Sequence, residues 1–233
     1  MELNAFWQEL QDRVSKYDLL CHSYYRAWSA GELTRDDLRQ YSANYYHHVA
    51  AFPTYLASFY SRLPEGELRR AVVQNLGDEE GLDGNPSSRP HNELWLDFAE
   101  GMGASRAEVR NSEPLPEIDA LIEQFRSVAI KAKNEEALAS FYAYESQVPR
   151  VAKEKARGLS EMYGADARTC GYFTLHTTAD VYHSNVWRDQ LSKLVEGDDA
   201  AQFRALAAAE AAAKALWTAL DGVERERQAM LAA

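Results

Sequence analysis

The chain has 233 residues, 46% of them hydrophobic and 26% charged, which is enough to bury a sizeable core within one domain, residues 1–233. A formal net charge of −11 argues against a nucleic-acid partner or an anionic membrane surface, both of which need basic patches. Two distant cysteines, Cys21 and Cys170, no apolar run long enough to span a bilayer and an acidic start without a signal-like apolar stretch lead us to expect a cytoplasmic protein without structural disulfides.

Helix formers dominate, and no alternating polar and apolar run reads as a strand, so the expected class is all-α. In chain order, Gly31 to Asp37 forms a turn with Thr34 as an N-cap, opening a helix that runs to about Leu63, where Pro64 and Gly66 stop it. Glu67 to about Glu80 is the next helix, Gly81–Pro90 a loop, and His91 to about Met102 another helix. A short helix follows, then one opened by Pro114-Leu115-Pro116. Two long helices are expected over Glu135–Tyr163 and Asp166–Val195, and an Ala-rich one over Asp198–Ala229. Pro53 and Pro149 should kink their helices, and the carbonyl that Pro149 frees belongs to Glu145.

The chemistry concentrates in the segment Phe173 to His183. On one helix His176, Asp180 and His183 stand at i, i+4 and i+7, within an arc of about 60°. They interrupt an apolar stripe of Tyr172, Phe173, Ala179, Val186, Trp187 and Leu191. Burying an aspartate costs several kcal/mol, roughly, unless it is paired or metal-bound, so the trio is either a hydrogen-bonded core cluster or a metal site. Glu145 lies in an aromatic-rich helix, Glu79 at a helix end and His91 where the next helix starts. Three imidazoles and three carboxylates suit iron or manganese, and helical bundles build dinuclear sites from such ligands. Taken singly, Glu79 and Glu80 also read as solvated helix-end charges and His91 as a surface residue.

Four stretches resemble the CADD family (chlamydial protein associating with death domains), a member of the haem-oxygenase-like dimetal oxidases. They are Trp28 to Thr34, Tyr45 to Pro53, Tyr144 to Lys155 and Tyr172 to His183, within a likeness covering about residues 3–195. The resemblance implies a single haem-oxygenase-like bundle of seven to eight helices, related to the TenA and PqqC folds. It also implies a dinuclear Fe/Fe or Mn/Fe centre held by Glu79, His91, Glu145, His176, Asp180 and His183. The loop Gly81–Arg89 makes the spacing from Glu79 to His91 longer than the family's, with Glu80 as the substitute ligand. The implied activity is O2-dependent synthesis of para-aminobenzoate for folate, with an external electron donor as reductant. Tyr25 looks like the sacrificed source of the ring and Lys155 like the donor of the amino group, so the protein would act once. Lys155 lies ten residues after Glu145, roughly 15 Å along one helix, so Tyr25 and Lys155 have to meet by tertiary packing. Tyr41, Tyr45, Tyr142 and Tyr144 are candidates to line the path, or plain aromatic packing. Other readings are a PqqC-like cofactor-free oxidase, a dimetal oxidase acting on an external small molecule, a TenA-like hydrolase and a protein-interaction module. Cys21 and Cys170 do not fall where a TenA nucleophile sits. Homodimerisation is left open.

Overall fold

A computed structural model describes residues 1–232. Twelve α-helices and no strand occur among the described residues. They are α1 (Leu3–Ser15), α2 (Ser23–Ala30), α3 (Arg35–Arg62), α4 (Glu67–Glu79), α5 (His91–Met102) and α6 (Arg106–Asn111), followed by α7 (Pro116–Lys131), α8 (Asn134–Glu145), α9 (Val148–Met162), α10 (Gly171–His176), α11 (Ala179–Val195) and α12 (Asp199–Leu231). A 3-10 turn, Leu19–Cys21, precedes α2. No helix among the described residues is long and apolar enough to cross a membrane.

The caps read from sequence are present. Thr34 accepts from the Asp37 N–H while Asp37 accepts from the Thr34 N–H, a reciprocal pair that fixes the start of α3. Gly31 ends α2 at φ 74°, a left-handed conformation that suits glycine.

The bundle is organised around α8. Ala137 through Glu145 are all buried, so this helix has no solvent face and sits at the centre. Its small residues Ala137, Ala139 and Ala143 let α12 lie close against it through Ala205, Ala209, Ala212 and Ala213. The opposite wall is α3, packed on α4, α5 and α7, while α11 lies along α8.

The helix count exceeds the expected seven to eight because α1 and α2 precede the first helix read from sequence and because both long helices are broken. Glu135–Tyr163 divides into α8 and α9, with Pro149 in the first turn of α9, where its missing N–H leaves no ladder bond unmade. The proline therefore marks a break and not a kink. Asp166–Val195 divides at Thr177 and Thr178, so His176 closes α10 while Asp180 and His183 belong to α11. The three do not share one helix face. Pro53, by contrast, lies inside an α3 that runs on past it.

Candidate metal centre

Five of the six expected ligands sit at helix ends. Glu79, Glu145 and His176 are the last residues of α4, α8 and α10, His91 is the first of α5, and Asp180 is the second of α11. Three helix C-termini thus converge with their side chains, and the partial negative charge of a C-terminus favours a cation. None of the six residues is more than 5% exposed. Glu80, the alternative to Glu79, faces solvent.

The donor atoms form two overlapping groups, Glu79 with His91 and His176, and Glu79 with Glu145 and His183. Within each, the ligand atoms lie within 4.8 Å of one another. Glu79 is common to both groups and would be the carboxylate they share if each held an ion. Asp180 stands beside them, its Oδ1 3.4 Å from His183 Nδ1.

The imidazoles are oriented from behind. His183 Nε2 lies 3.1 Å from Asp78 Oδ2 and donates to it, and His176 Nδ1 donates to the Tyr172 carbonyl at 2.6 Å. Such outer bonds fix which nitrogen is free for a metal. On the inner side, His183 Nδ1 and His91 Nδ1 are buried without a hydrogen-bond partner. His91 Nδ1 lies 2.9 Å from Glu79 Oε2 without forming a hydrogen bond. Neighbouring donors on one octahedral ion at ~2.1 Å stand about 3 Å apart, so the approach that pairs Glu79 with a protonated His91 also fits two ligands of a common cation. Glu145 is held by Trp187 Nε1 and, at 3.3 Å, by Asn75 Nδ2.

Three carboxylates crowded out of water perturb one another. Burial, followed by the charges of Asp180 and Glu79, pushes the Glu145 carboxyl well above the ordinary range. Burial works against the charged form of His183, but Asp180, Glu145 and Asp78 outweigh it and push the imidazole up to about 10. In Glu79 burial is likewise outweighed, by the imidazoles of His91, His176 and His183, which hold its carboxyl low. Such a cluster needs compensating positive charge, and its oxygen and nitrogen donors suit iron or manganese. Two surface clefts reach His183 on either side of the exposed Tyr182.

Tyr25 and Lys155 do meet. Lys155 Nζ donates to Tyr25 Oη at 2.7 Å and to Tyr41 Oη at 2.6 Å, and the two hydroxyls are 2.9 Å apart. The ammonium position lies 4.1 Å from the centre of the Tyr25 ring. No carboxylate pairs with it in any hydrogen bond or ion pair described, and burial drives its pKa well below that of a free lysine. Burial also raises the Tyr25 and Tyr41 phenols well above 10. Burial thus works against the ammonium form of Lys155 and against the phenolate forms of Tyr25 and Tyr41 alike.

Tyr144 and Tyr172 form the wall between the two places, because both line the pocket around Lys155 and the small cavity among Glu79, Glu145, His176 and Asp180. The Tyr172 ring stacks on His176 with centroids 4.0 Å apart. Of the tyrosines proposed for a path, Tyr45 and Tyr144 line the pocket around Lys155 and Tyr41 bonds to Lys155 itself. Tyr142 does not: it turns to the opposite side of α8 and packs against Trp7. The sequence reading missed Tyr172, Asp78, Asn75 and Trp187 as supports. Asp78 adjoins Glu79 but read as one more helix-end charge, and Trp187 read as core.

Comparison with known proteins accords with this geometry. The model of a family described as iron-containing redox enzymes matches residues 39–217. A 4-aminobenzoate synthase of Nitrosomonas europaea is 35% identical over 96% of this chain and 92% of its own. One of Chlamydia pneumoniae is 37% identical over 81% of this chain and 83% of its own. Among solved structures, a domain with a haem-oxygenase-like fold from Shewanella denitrificans superposes with a TM-score of 0.81 at 18% identity, covering 99% of this chain and 95% of that one. The chain belongs to the iron-containing redox enzymes and has the haem-oxygenase-like fold.

Proposed function

We propose that the protein is an O2-dependent dimetal oxidase that makes 4-aminobenzoate once per chain, with the ring coming from its own Tyr25 and the nitrogen from Lys155. The observation that carries this reading is a buried lysine amine 2.7 Å from Tyr25 Oη, one aromatic wall away from the carboxylate and imidazole cluster.

Glu79, His91 and His176 would hold one ion and Glu145 and His183 the other, with Glu79 shared and Asp180 completing the set. Glu80 is set aside because it faces solvent. An Fe/Fe or Mn/Fe pair, reduced by an external electron donor, supplies the oxidising power of O2.

The remaining roles follow from the product's own constitution. In 4-aminobenzoate the nitrogen is para to the carboxyl group, and in tyrosine the carbon para to Cβ is Cζ, which carries the hydroxyl. The nitrogen therefore has to replace Oη, which leaves as water, while the Lys155 Cε–Nζ bond breaks. Cβ has to become the carboxyl carbon as its bond to Cα breaks, and O2 is the oxidant for both cleavages. Lys155 Nζ stands beside the carbon that must receive nitrogen. Burial favours the neutral amine, the form whose lone pair is free. Tyr41 accepts Lys155's second hydrogen bond and fixes the direction of that lone pair. The wall of Trp95, Tyr144, Tyr172 and Phe173 keeps water from competing with the amine.

The test uses protein grown on ring-deuterated tyrosine, reduced and exposed to O2. Label should pass into 4-aminobenzoate at no more than one product per chain, and Tyr25→Phe should lose most of the product. Unlabelled product, or many turnovers, would mean an external substrate and an ordinary catalytic oxidase.

A further inference from the structure

The Tyr25–Lys155 pocket is narrow. It offers ≈ 30 Å³, room for about one water, whereas an apolar cavity able to bind benzene measures ~150 Å³. A free aromatic ring cannot leave it without an opening. Of the residues lining the pocket only Val148, at the start of α9, is partly exposed. Leu19 also lines it, from the 3-10 turn Leu19–Cys21, whose following residues are half-buried (Leu20) and exposed (Cys21).

Two tethers hold that turn in place. Inside, the Leu19 N–H donates to Gln147 Oε1 at 3.1 Å. Gln147 sits in the break between α8 and α9, and its Nε2 donates to the Ala143 carbonyl at 3.2 Å, which points the amide oxygen at the turn. Outside, Asp18 Oδ1 accepts from the Leu20 N–H and from Arg150 Nη2, both at 3.1 Å. An exposed ion pair of this kind contributes little, so the buried glutamine is the stronger of the two. The turn also has internal bonds, Cys21 N–H to Asp18 O and His22 N–H to Leu19 O, so it keeps its shape if the tethers open. Buried Gln147 thus ties a backbone N–H of the three-residue turn to the end of α8, which packing alone does not require.

We propose that Leu19–Cys21 is a lid on the Tyr25–Lys155 pocket, latched by Gln147, and that an aromatic carboxylate formed inside leaves between Leu19 and Val148. Arg150 at the rim supplies a cation for the departing carboxylate when Asp18 releases it. Gln147 is a positioning residue. The nature of the ligand rests on the function proposed above; the lid itself does not.

The test reads how often Lys155 becomes accessible. The protein, Gln147→Leu and Leu19→Ala receive a short pulse of formaldehyde and borane at pH 7.5, and methylation is read by peptide mass spectrometry. Buried Lys155 can react only when reagent reaches it, while the exposed Lys16 and Lys131 serve as references. In both variants Lys155 should react about tenfold faster, the change expected from one buried hydrogen bond or one lost plug, with Lys16 and Lys131 unchanged. Leu19→Ala leaves the latch in place, so it carries the test if Gln147→Leu does not fold. An unchanged Lys155 rate in both variants overturns the lid, and so does a rise matched by faster amide exchange throughout α8, which would be general loosening. In protein that makes 4-aminobenzoate, product after acid quenching should run ahead of product in the ultrafiltrate, and Gln147→Leu should close that gap. Faster labelling without any 4-aminobenzoate would sink the proposed function and support the lid.

Discussion

Replacing Lys155 with Met tests the state of the amine on which the proposed chemistry depends. The methionine fills nearly the same space but cannot donate, so Tyr25 and Tyr41 each lose the bond from Nζ. Two neutral hydrogen bonds contribute about 1 kcal/mol each. Against that loss stands the cost of keeping an amine out of water. Rings of Tyr25, Tyr41 and Trp28 within 5.2 Å favour the ammonium by about 2 kcal/mol in a desolvated setting. Stripping water from an unpaired ammonium costs several kcal/mol, roughly, so the neutral form wins. In the unfolded chain Lys155 is protonated below about pH 10.5, and in the folded protein burial moves that protonation to lower pH. Unfolding therefore takes up a proton, and the stability of the unsubstituted protein falls as pH is lowered, by about 1.4 kcal/mol per unit until the folded pKa is reached. Lys155→Met lacks this dependence. Urea titrations of both proteins at pH 9.5 and 7.5 should show the variant less stable at the higher pH and gaining on the parent by about 3 kcal/mol at the lower, if the folded pKa lies below both. A difference independent of pH would mean that Lys155 carries its charge in the folded state, and the amine would then be no nucleophile.

Other perturbations probe the rest of the site. His176→Ala and Asp180→Ala should each abolish metal retention while the helical circular-dichroism signal largely survives; stoichiometric metal in both variants would refute the ligand set. Gly158→Ala would put a Cβ 2.9 Å from Trp28 Cδ1, and because that ring is fully packed the variant should lose about 1–3 kcal/mol in a denaturant titration. Unchanged stability would show that the Trp28 ring can yield. Asp97→Ala removes the buried carboxylate shared by Arg89, Arg106 and Arg168. It should cost about 2 kcal/mol, less than a fully buried pair because the arginines are partly exposed and Arg106 and Arg168 keep Glu100; an unchanged melting temperature would make the network ornamental.

What the sequence disclosed and what it hid divide along one physical line. The helical class was legible because local signals set it: the Thr34 cap, the proline that opens α7 and the lack of alternation. The identity of the polar residues was legible too, since Glu145, His176, Asp180 and His183 stand where an apolar residue would otherwise be buried. Their arrangement was not. Reading His176, Asp180 and His183 as one helical face assumed an unbroken ladder, and the ladder breaks at Thr177 and Thr178 without a glycine or proline to announce it. The contact of Lys155 with Tyr25 joins residues 130 positions apart, and Asp78 becomes the partner of His183 only when α4 meets α11.

Helix periodicity reports on helix interiors, where every third or fourth residue shares a face. The carboxylate and imidazole cluster is built instead from helix ends, where periodicity runs out and where C-terminal dipoles favour a cation. The two breaks serve the site directly. If α8 continued, Gln147 would lie on an ordinary helix face and not in the gap where it reaches the Leu19 N–H. If α10 continued into α11, Asp180 and His183 would be bound to the same cylinder as His176. Ending one helix and starting another lets His176 meet Glu79 and His91 while His183 meets Glu79 and Glu145, so one carboxylate is shared between two groups. A continuous amphipathic helix would have been more regular, but it could not have supplied both groups from so short a stretch of chain.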